Sequence, residues 1–262
     1  MSTPPLLLLL PPSEGKAPGG RATKWTPDAG SFGTLAADRR AVVAALGAAG
    51  GGGEALLGVG GRHLERARAA NLELDGDAGT LPAWRRYTGV VHDHLGVATL
   101  SRAGRERAVG SVVVLSGLLG AVALGDPVPD YRLKMGARLA PLGLLAAWWR
   151  PRLTPLLVAR AAGHVVVDLL PIEHAAAVDH AALAAGGAIV VRARLVERDG
   201  RSGGHDAKAA KGRLARHLLT SRAHPERALR TWVDDRYVVE TESIAGPVPI
   251  ARRAASTRSS TR

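Results

Sequence analysis

The stretch "LLPPSEGK" sets a hydroxyl, a carboxylate and an amine within four residues, at Ser13, Glu14 and Lys16. Those groups suit hydrogen bonding, proton transfer and anion binding. The two prolines before them lack N–H groups and force the chain out of any sheet. If Leu6–Leu10 is a buried strand, its C-terminal end delivers all three to the rim where open α/β sheets bind ligands. The stretch is not a Walker A loop, because G-x-x-x-x-G-K-[ST] is missing, so nucleotide hydrolysis is not implied. The plainer alternative is a solvated turn with one surface ion pair, Glu14–Lys16.

Other stretches repeat the pairing of cations with aromatics. "RRYTGVVHDHL" supplies Arg86, Tyr87 and Thr88, where an arginine can hold a phosphate and a tyrosine can stack a base. Its His92-Asp93-His94 run has too few carboxylates nearby for a metal site, and none is predicted. "DPVPDYRLKMG" adds Tyr131, Arg132 and Lys134; in an extended segment the two cations share a face and repel unless an anion lies across them. "WWRPRLT" adds Arg150, although its tryptophans are explained as core. "HDAKAAKGRLARHL" predicts a helix from about Asp206 that carries Lys208, Lys211 and Arg216, with Gly212 admitting a close neighbour. A solvated amphipathic face is its plainer reading. "LLGVGGRHLERA" has the outline of a helix-hairpin-helix around Gly58 and Gly60, whose amides could meet a DNA phosphate.

The elements that must position these groups follow from pattern and composition. Apolar residues make up 46 % of the 262 and aromatics only 3 %, so Ala, Val and Leu build the core. "LLLLL", "SVVVLSGLLG", "HVVVDLLP" and "AIVVRARLVERDG" read as buried strands, the last closing on an Asp-Gly turn. "RYVVETESI" reads as a final strand. Helical spacing runs through "ADRRAVVAALGAA", ended by Gly50–Gly53, and through "LGLLAAWWRPRLTPLLVARAA", with Pro151 near a boundary. Strands alternating with helices predict a single α/β domain over residues 1–250, with a central mixed sheet flanked by helices and a disordered basic tail at 251–262. The leucine run is too short to span a bilayer, which needs about 20 apolar residues, and lacks the flanks of a signal peptide. With no cysteine, thiolate chemistry is excluded and a reducing cytoplasm fits. Against 35 Lys and Arg stand 23 Asp and Glu, a formal +12, which favours polyanionic partners.

Taken together, "LLPPSEGK", "RYTGVVHD", "LSGLLG", "DPVPDYRLKMG", "WRPRLTP" and "HDAKAAKGRLAR" resemble, in order and spacing, the YaaA/DUF328 (UPF0246) family of peroxide-stress proteins, over about Leu6 to Val239 and nearest its actinobacterial branch. The resemblance implies a compact α/β fold with a basic cleft, a helix-hairpin-helix-like element, and DNA binding linked to limiting iron-driven oxidative damage. Carried onto this chain, its motif positions are Ser13, Glu14, Lys16, Arg86, Tyr87, Thr88, Tyr131, Arg132, Lys134, Arg150, His205, Lys208, Lys211, Gly212 and Arg216. Two stretches depart from the family pattern. "RDGRSGGHDAK" lacks an apolar run before His205. "DLLPIEHAAA" keeps Asp168 but not the family's Ser and Tyr, unless Glu173 or His174 substitutes.

Two functions are expected from this reading. One is a cytoplasmic monomer that binds DNA, or a phosphorylated nucleotide-like ligand, through phosphates, without cofactor or metal. Its sequence preference is weak, and Tyr87 and Tyr131 serve as stacking platforms. The other is an enzyme on a nucleotide, nucleoside or base, with Glu14 as general acid/base and His205 assisting proton transfer. The resemblance places Arg132 and Lys208 at one site with Glu14.

Overall fold

Five leucines in a row can be buried only where both faces of a strand are covered, and that is where β1 (Leu6–Leu10) lies. The computed structural model describes residues 5–20, 23–198 and 205–244. In it β1 is hydrogen-bonded in parallel to β3 (Val112–Ser116) on one side and to β8 (Val165–Asp168) on the other. Leu8 faces Val112 across the first pair; Leu6 faces Val165 and Leu9 faces Asp168 across the second. β-Branched valines suit the pleated, fully buried surface, and every residue of β3 and β8 is buried.

Two more strands extend the sheet on one flank and one on the other. β9 (Ile189–Glu197) pairs in parallel with β8, and β10 (Tyr237–Ile244) closes that edge antiparallel to β9. β4 (Gly120–Ala123) closes the other edge antiparallel to β3. The strand order is β10-β9-β8-β1-β3-β4, a mixed six-stranded sheet in an α/β fold. From β1 the chain crosses first to β3 on one side and later to β8 on the other. The loops after β1 and β8 therefore diverge, and a crevice opens beyond their C-terminal ends. Two small ladders lie apart from the sheet: β2 (Thr80–Pro82) with β5 (Pro127–Pro129), and β6 (Arg138–Leu139) with β7 (Gly143–Leu144).

Parallel neighbours need long crossovers, and helices supply them. Between β1 and β3 run α1 (Ala36–Ala48), α2 (Glu54–Leu57), α3 (Gly61–Leu72), α4 (Ala83–Arg86), α5 (Val90–Leu95) and α6 (Arg102–Ser111). α7 (Leu145–Ala161) leads to β8, α8 (Ile172–Ala175) and α9 (His180–Ala185) lead to β9, and α10 (His205–Thr220) and α11 (Pro225–Thr231) lead to β10. No helix among the described residues is long and apolar enough to cross a membrane.

Three details differ from the sequence reading. Pro151 lies inside α7 together with Pro155, not at its boundary. The neighbouring carbonyls take side-chain donors: Thr154 Oγ1 donates to the Arg150 carbonyl and Arg152 to the Trp148 carbonyl, each at 2.7 Å. The stretch read as one strand and a loop, "SVVVLSGLLG", turns back at once into β4. The helix–Gly–helix outline around Gly58 and Gly60 is present, but α2 is a single turn ended by Gly58 in the left-handed region at φ 64°. The Asp-Gly turn after β9, the stretch at 199–204 and the basic tail at 251–262 lie outside the described residues.

Candidate functional site

The loop ejected by Pro11-Pro12 is fastened at several points before it reaches Lys16. Ser13 Oγ donates to the Thr88 carbonyl, and the Thr88 N–H donates back to Gly15 O at 3.1 Å. Gly89, which opens α5, has a backbone φ of 148° that favours glycine, and a Cβ there would push Ser13 Oγ away from the Thr88 carbonyl. His92, from the first turn of α5, donates from Nε2 to the Pro11 carbonyl at 3.0 Å. Burial drives its imidazole pKa down to about 4, so it is neutral. His94 turns the other way, bonding within its own helix to Val90 O. Among the described residues no three His, Cys, Asp or Glu gather in a way that could hold a metal ion.

From this fixed loop Glu14 reaches the segment after β5. Its Oε2 accepts from Arg132 at 2.7 Å and its Oε1 lies 3.5 Å from Lys134 Nζ. Partial burial alone would raise the Glu14 pKa; the two cations and their hydrogen bonds outweigh it and hold the carboxyl below its ordinary range. Arg132 is positioned by its backbone as well. Its N–H donates to Asn71 Oδ1 at 2.8 Å, its carbonyl accepts from Asn71 Nδ2 at 3.0 Å, and its own Nε donates to Leu57 O at 3.0 Å. Lys134 packs against Gly58, where a Cβ would sit 2.7 Å from Nζ. The helix–Gly–helix element thus touches both cations.

Lys16 lies beneath them. Its Nζ donates to Ser13 O at 3.0 Å and sits 4.0 Å from the centroid of the Tyr131 ring. Burial, opposed by Asp130 and Glu14 and reinforced by Arg132 and Arg86, lowers this amine to about 7. The Tyr131 hydroxyl is joined to Ser116 Oγ at 2.6 Å and to the Tyr87 hydroxyl at 3.0 Å. Both tyrosines are only 2 % exposed, and burial raises both phenols, Tyr131 to about 12. They are therefore not the open stacking platforms expected; they form the floor under Lys16. A narrow cavity runs here between Pro12, Ser13, Glu14, Lys16, Lys134 and His174, and a wider one opens on the α3 side past His63 and Arg66.

Other expected cations lie elsewhere. Arg86 is fully buried and its guanidinium is taken up by carbonyls: Val128 O at 3.0 Å, Gly19 O at 3.0 Å, Gly79 O at 2.9 Å, and Ala17 O. It clamps the loop after Lys16 and is not placed to meet a phosphate. Arg216 donates to Leu95 O and Gly96 O, both at 2.9 Å, and so caps the C-terminus of α5. Gly212 lets α10 cross α5 closely; a Cβ would lie 2.7 Å from His94 Cβ and collide with the Val91 carbonyl. Arg150 pairs with Asp179 at 3.3 Å, apart from Glu14. The Thr88 side chain is exposed, and its contribution is made by its backbone. The His205 side chain lies outside the described residues.

Lys208 and Lys211 border a third cavity, wider again, with Asp168, Ile172, Arg192 and Glu242. Asp168 ends β8 and is 3 % exposed; it accepts from His180 Nε2 at 2.7 Å and from Leu170 N at 2.7 Å. Burial lowers Lys211 to about 8; Asp168 opposes the shift and Lys208 adds to it. His174, on α8, stands between the two groups and senses the charges of both Lys211 and Glu14.

Asn71 and His180 carry this arrangement yet have no local sequence signal. Each acts on a partner that only the tertiary fold brings near.

The fold is a mixed α/β sheet whose strand order reverses at β1, with Glu14, Arg132 and Lys134 placed beyond the C-terminal end of that strand. A family model described as "Peroxide stress protein YaaA" matches residues 6–243. A UPF0246 protein of Streptomyces coelicolor is 38 % identical over 92 % of this chain and 94 % of its own length. One from Corynebacterium efficiens is 34 % identical over 82 % of this chain and 86 % of its own. The chain belongs to the YaaA (UPF0246) peroxide-stress family.

Proposed function

We propose that this protein serves the peroxide-stress response in the cytoplasm, as a monomer, by binding DNA through its phosphates in the crevice beyond β1 and β8. The observation that carries the reading is the meeting of Arg132 and Lys134 at one carboxylate, Glu14, whose side chain is 61 % exposed, with the amine of Lys16 lining the same narrow cavity and bonded to Ser13 O. Glu14 itself faces solvent while Arg132 is largely covered, so a phosphate that takes the place of Glu14 leaves both cations paired. The α2–α3 element touching Arg132 and Lys134 would supply backbone contacts in the manner of a helix-hairpin-helix. Lys208 and Lys211 extend the basic surface along the neighbouring cavity. The net charge of +12 supports attraction to a polyanion.

The test is retention of short DNA by the purified protein across a salt series. Affinity should fall linearly on a log–log plot, and the double variant Arg132→Ala, Lys134→Ala should have a slope smaller by about two. A wild type that retains no DNA at moderate salt sinks the proposal.

One observation favours a second reading, an enzyme acting on a nucleotide or base. Lys16, near 7, is balanced between acid and base at neutral pH, as a proton-transfer group should be. On this reading Lys16 is a better base than Glu14, whose carboxyl is held ionised and weakly basic.

A further inference from the structure

Among the described residues, two buried side-chain polar atoms lack any hydrogen-bond partner: Arg105 Nε and His174 Nδ1. Arg105 lies over Trp84, away from the crevice, and its other arm is bonded to Ala98 O. His174 lines the narrow cavity together with Glu14, Lys16, Arg132 and Lys134. The residue is 6 % exposed, and the nearest carboxylate oxygen, Glu173 Oε1, is 3.6 Å from Nδ1, beyond a hydrogen bond. Native proteins rarely leave such an atom unpaired, because neither water nor protein repays its desolvation.

The charge state of His174 narrows what would pair with it. Burial, with Lys211 acting in the same direction and Glu14 against it, brings the imidazole to about 4, so it is neutral at neutral pH. A neutral ring nitrogen matches a hydroxyl, an amide or a base edge. The neighbouring cations, not His174, match the phosphate.

We infer that His174 forms an uncharged subsite beside the phosphate subsite, and that the ligand is a phosphate ester bearing a hydroxyl or base edge next to its phosphate, as in a nucleotide unit, and not a bare polyanion. The inference rests on the phosphate-binding reading of the same crevice.

The experiment compares a short single-stranded oligonucleotide with inorganic polyphosphate, on wild type, His174→Phe and His174→Asn, with thermal unfolding as the folding control. His174→Phe should weaken the oligonucleotide about tenfold, the worth of one hydrogen bond, and leave polyphosphate unchanged. His174→Asn should recover most of the loss. If the phenylalanine variant does not fold, His174→Ala serves in its place, with the same expectation. Equal binding of both probes by wild type and variant overturns the inference while leaving the phosphate reading intact. So does a loss that polyphosphate shares. A wild type that holds neither probe overturns both.

Discussion

Arg86 and Arg132 carry the same guanidinium, both come from motifs rich in cations and tyrosine, and the fold uses them in opposite ways. Arg86 is closed off from solvent and donates to four backbone carbonyls. Arg132 is held by Asn71 and Leu57 through its backbone and Nε, which leaves its outer arm to grip a solvent-facing carboxylate. Arg39 belongs with Arg86: it is 1 % exposed and bonded to the carbonyls of Pro27, Ala29, Leu119 and Ala121. A positive charge in this chain is therefore no guide to a ligand until its donors have been traced. Buried arginines bind loops together; arginines anchored on one arm only are left able to bind something else.

That contrast can be broken by mutation. The largest effect is expected for Arg86→Met, which strands four carbonyls. Chemical denaturation should show a loss of about 3 kcal/mol or more. A folded Arg86→Met that loses only DNA retention would put Arg86 in the same group as Arg132. Next, Arg132→Ala, which removes the bond to Leu57 O but keeps both backbone bonds to Asn71, should cost about 1 kcal/mol of stability and weaken DNA about tenfold. Circular dichroism alongside a retention assay distinguishes the two arginines.

A smaller effect is expected from pH. Lys16 loses its proton as pH rises through about 7, so DNA retention should decline by a few-fold between roughly pH 6 and 8. Lys16→Arg, which stays charged, should flatten that profile. The folded amine holds its proton less tightly than the unfolded one. Its part in stability therefore improves as pH climbs from about 7 toward the ordinary lysine range. The smallest effect belongs to Glu14→Gln, which removes the internal competitor for Arg132 and Lys134. DNA affinity should rise by at most a few-fold, the worth of an exposed pair; a marked loss of affinity would mean that the carboxylate takes part in binding.

The sheet, β4 excepted, was legible in the residues because its signals are local. Five leucines, two valine triplets and a Pro-Pro break place β1, β3 and β8 and send Ser13–Lys16 to the rim. Half of the crevice was legible for the same reason, since Arg132 and Lys134 share a face of one extended segment. What was not legible depends on partners distant in sequence. Nothing near Arg86 reveals that Val128, Gly19 and Gly79 will present carbonyls to it, and nothing near Arg216 reveals the end of α5. α6, α9 and α11 carry weak apolar spacing and are set by packing. Pro151 and Pro155 suggest an interrupted helix, yet α7 continues through both from Leu145 to Ala161.

The six residues of α5 are tied at both ends. At one end His92 grips Pro11 and Gly89 seats Ser13; at the other, Arg216 holds the final carbonyls while Gly212 admits the crossing helix. The lysines of α10 and the amine of Lys16 are consequently set apart by a short rigid spacer. The spacing of the two backbones that carry these amines is therefore set by α5, and only the reach of the lysine stems is left to adjust it.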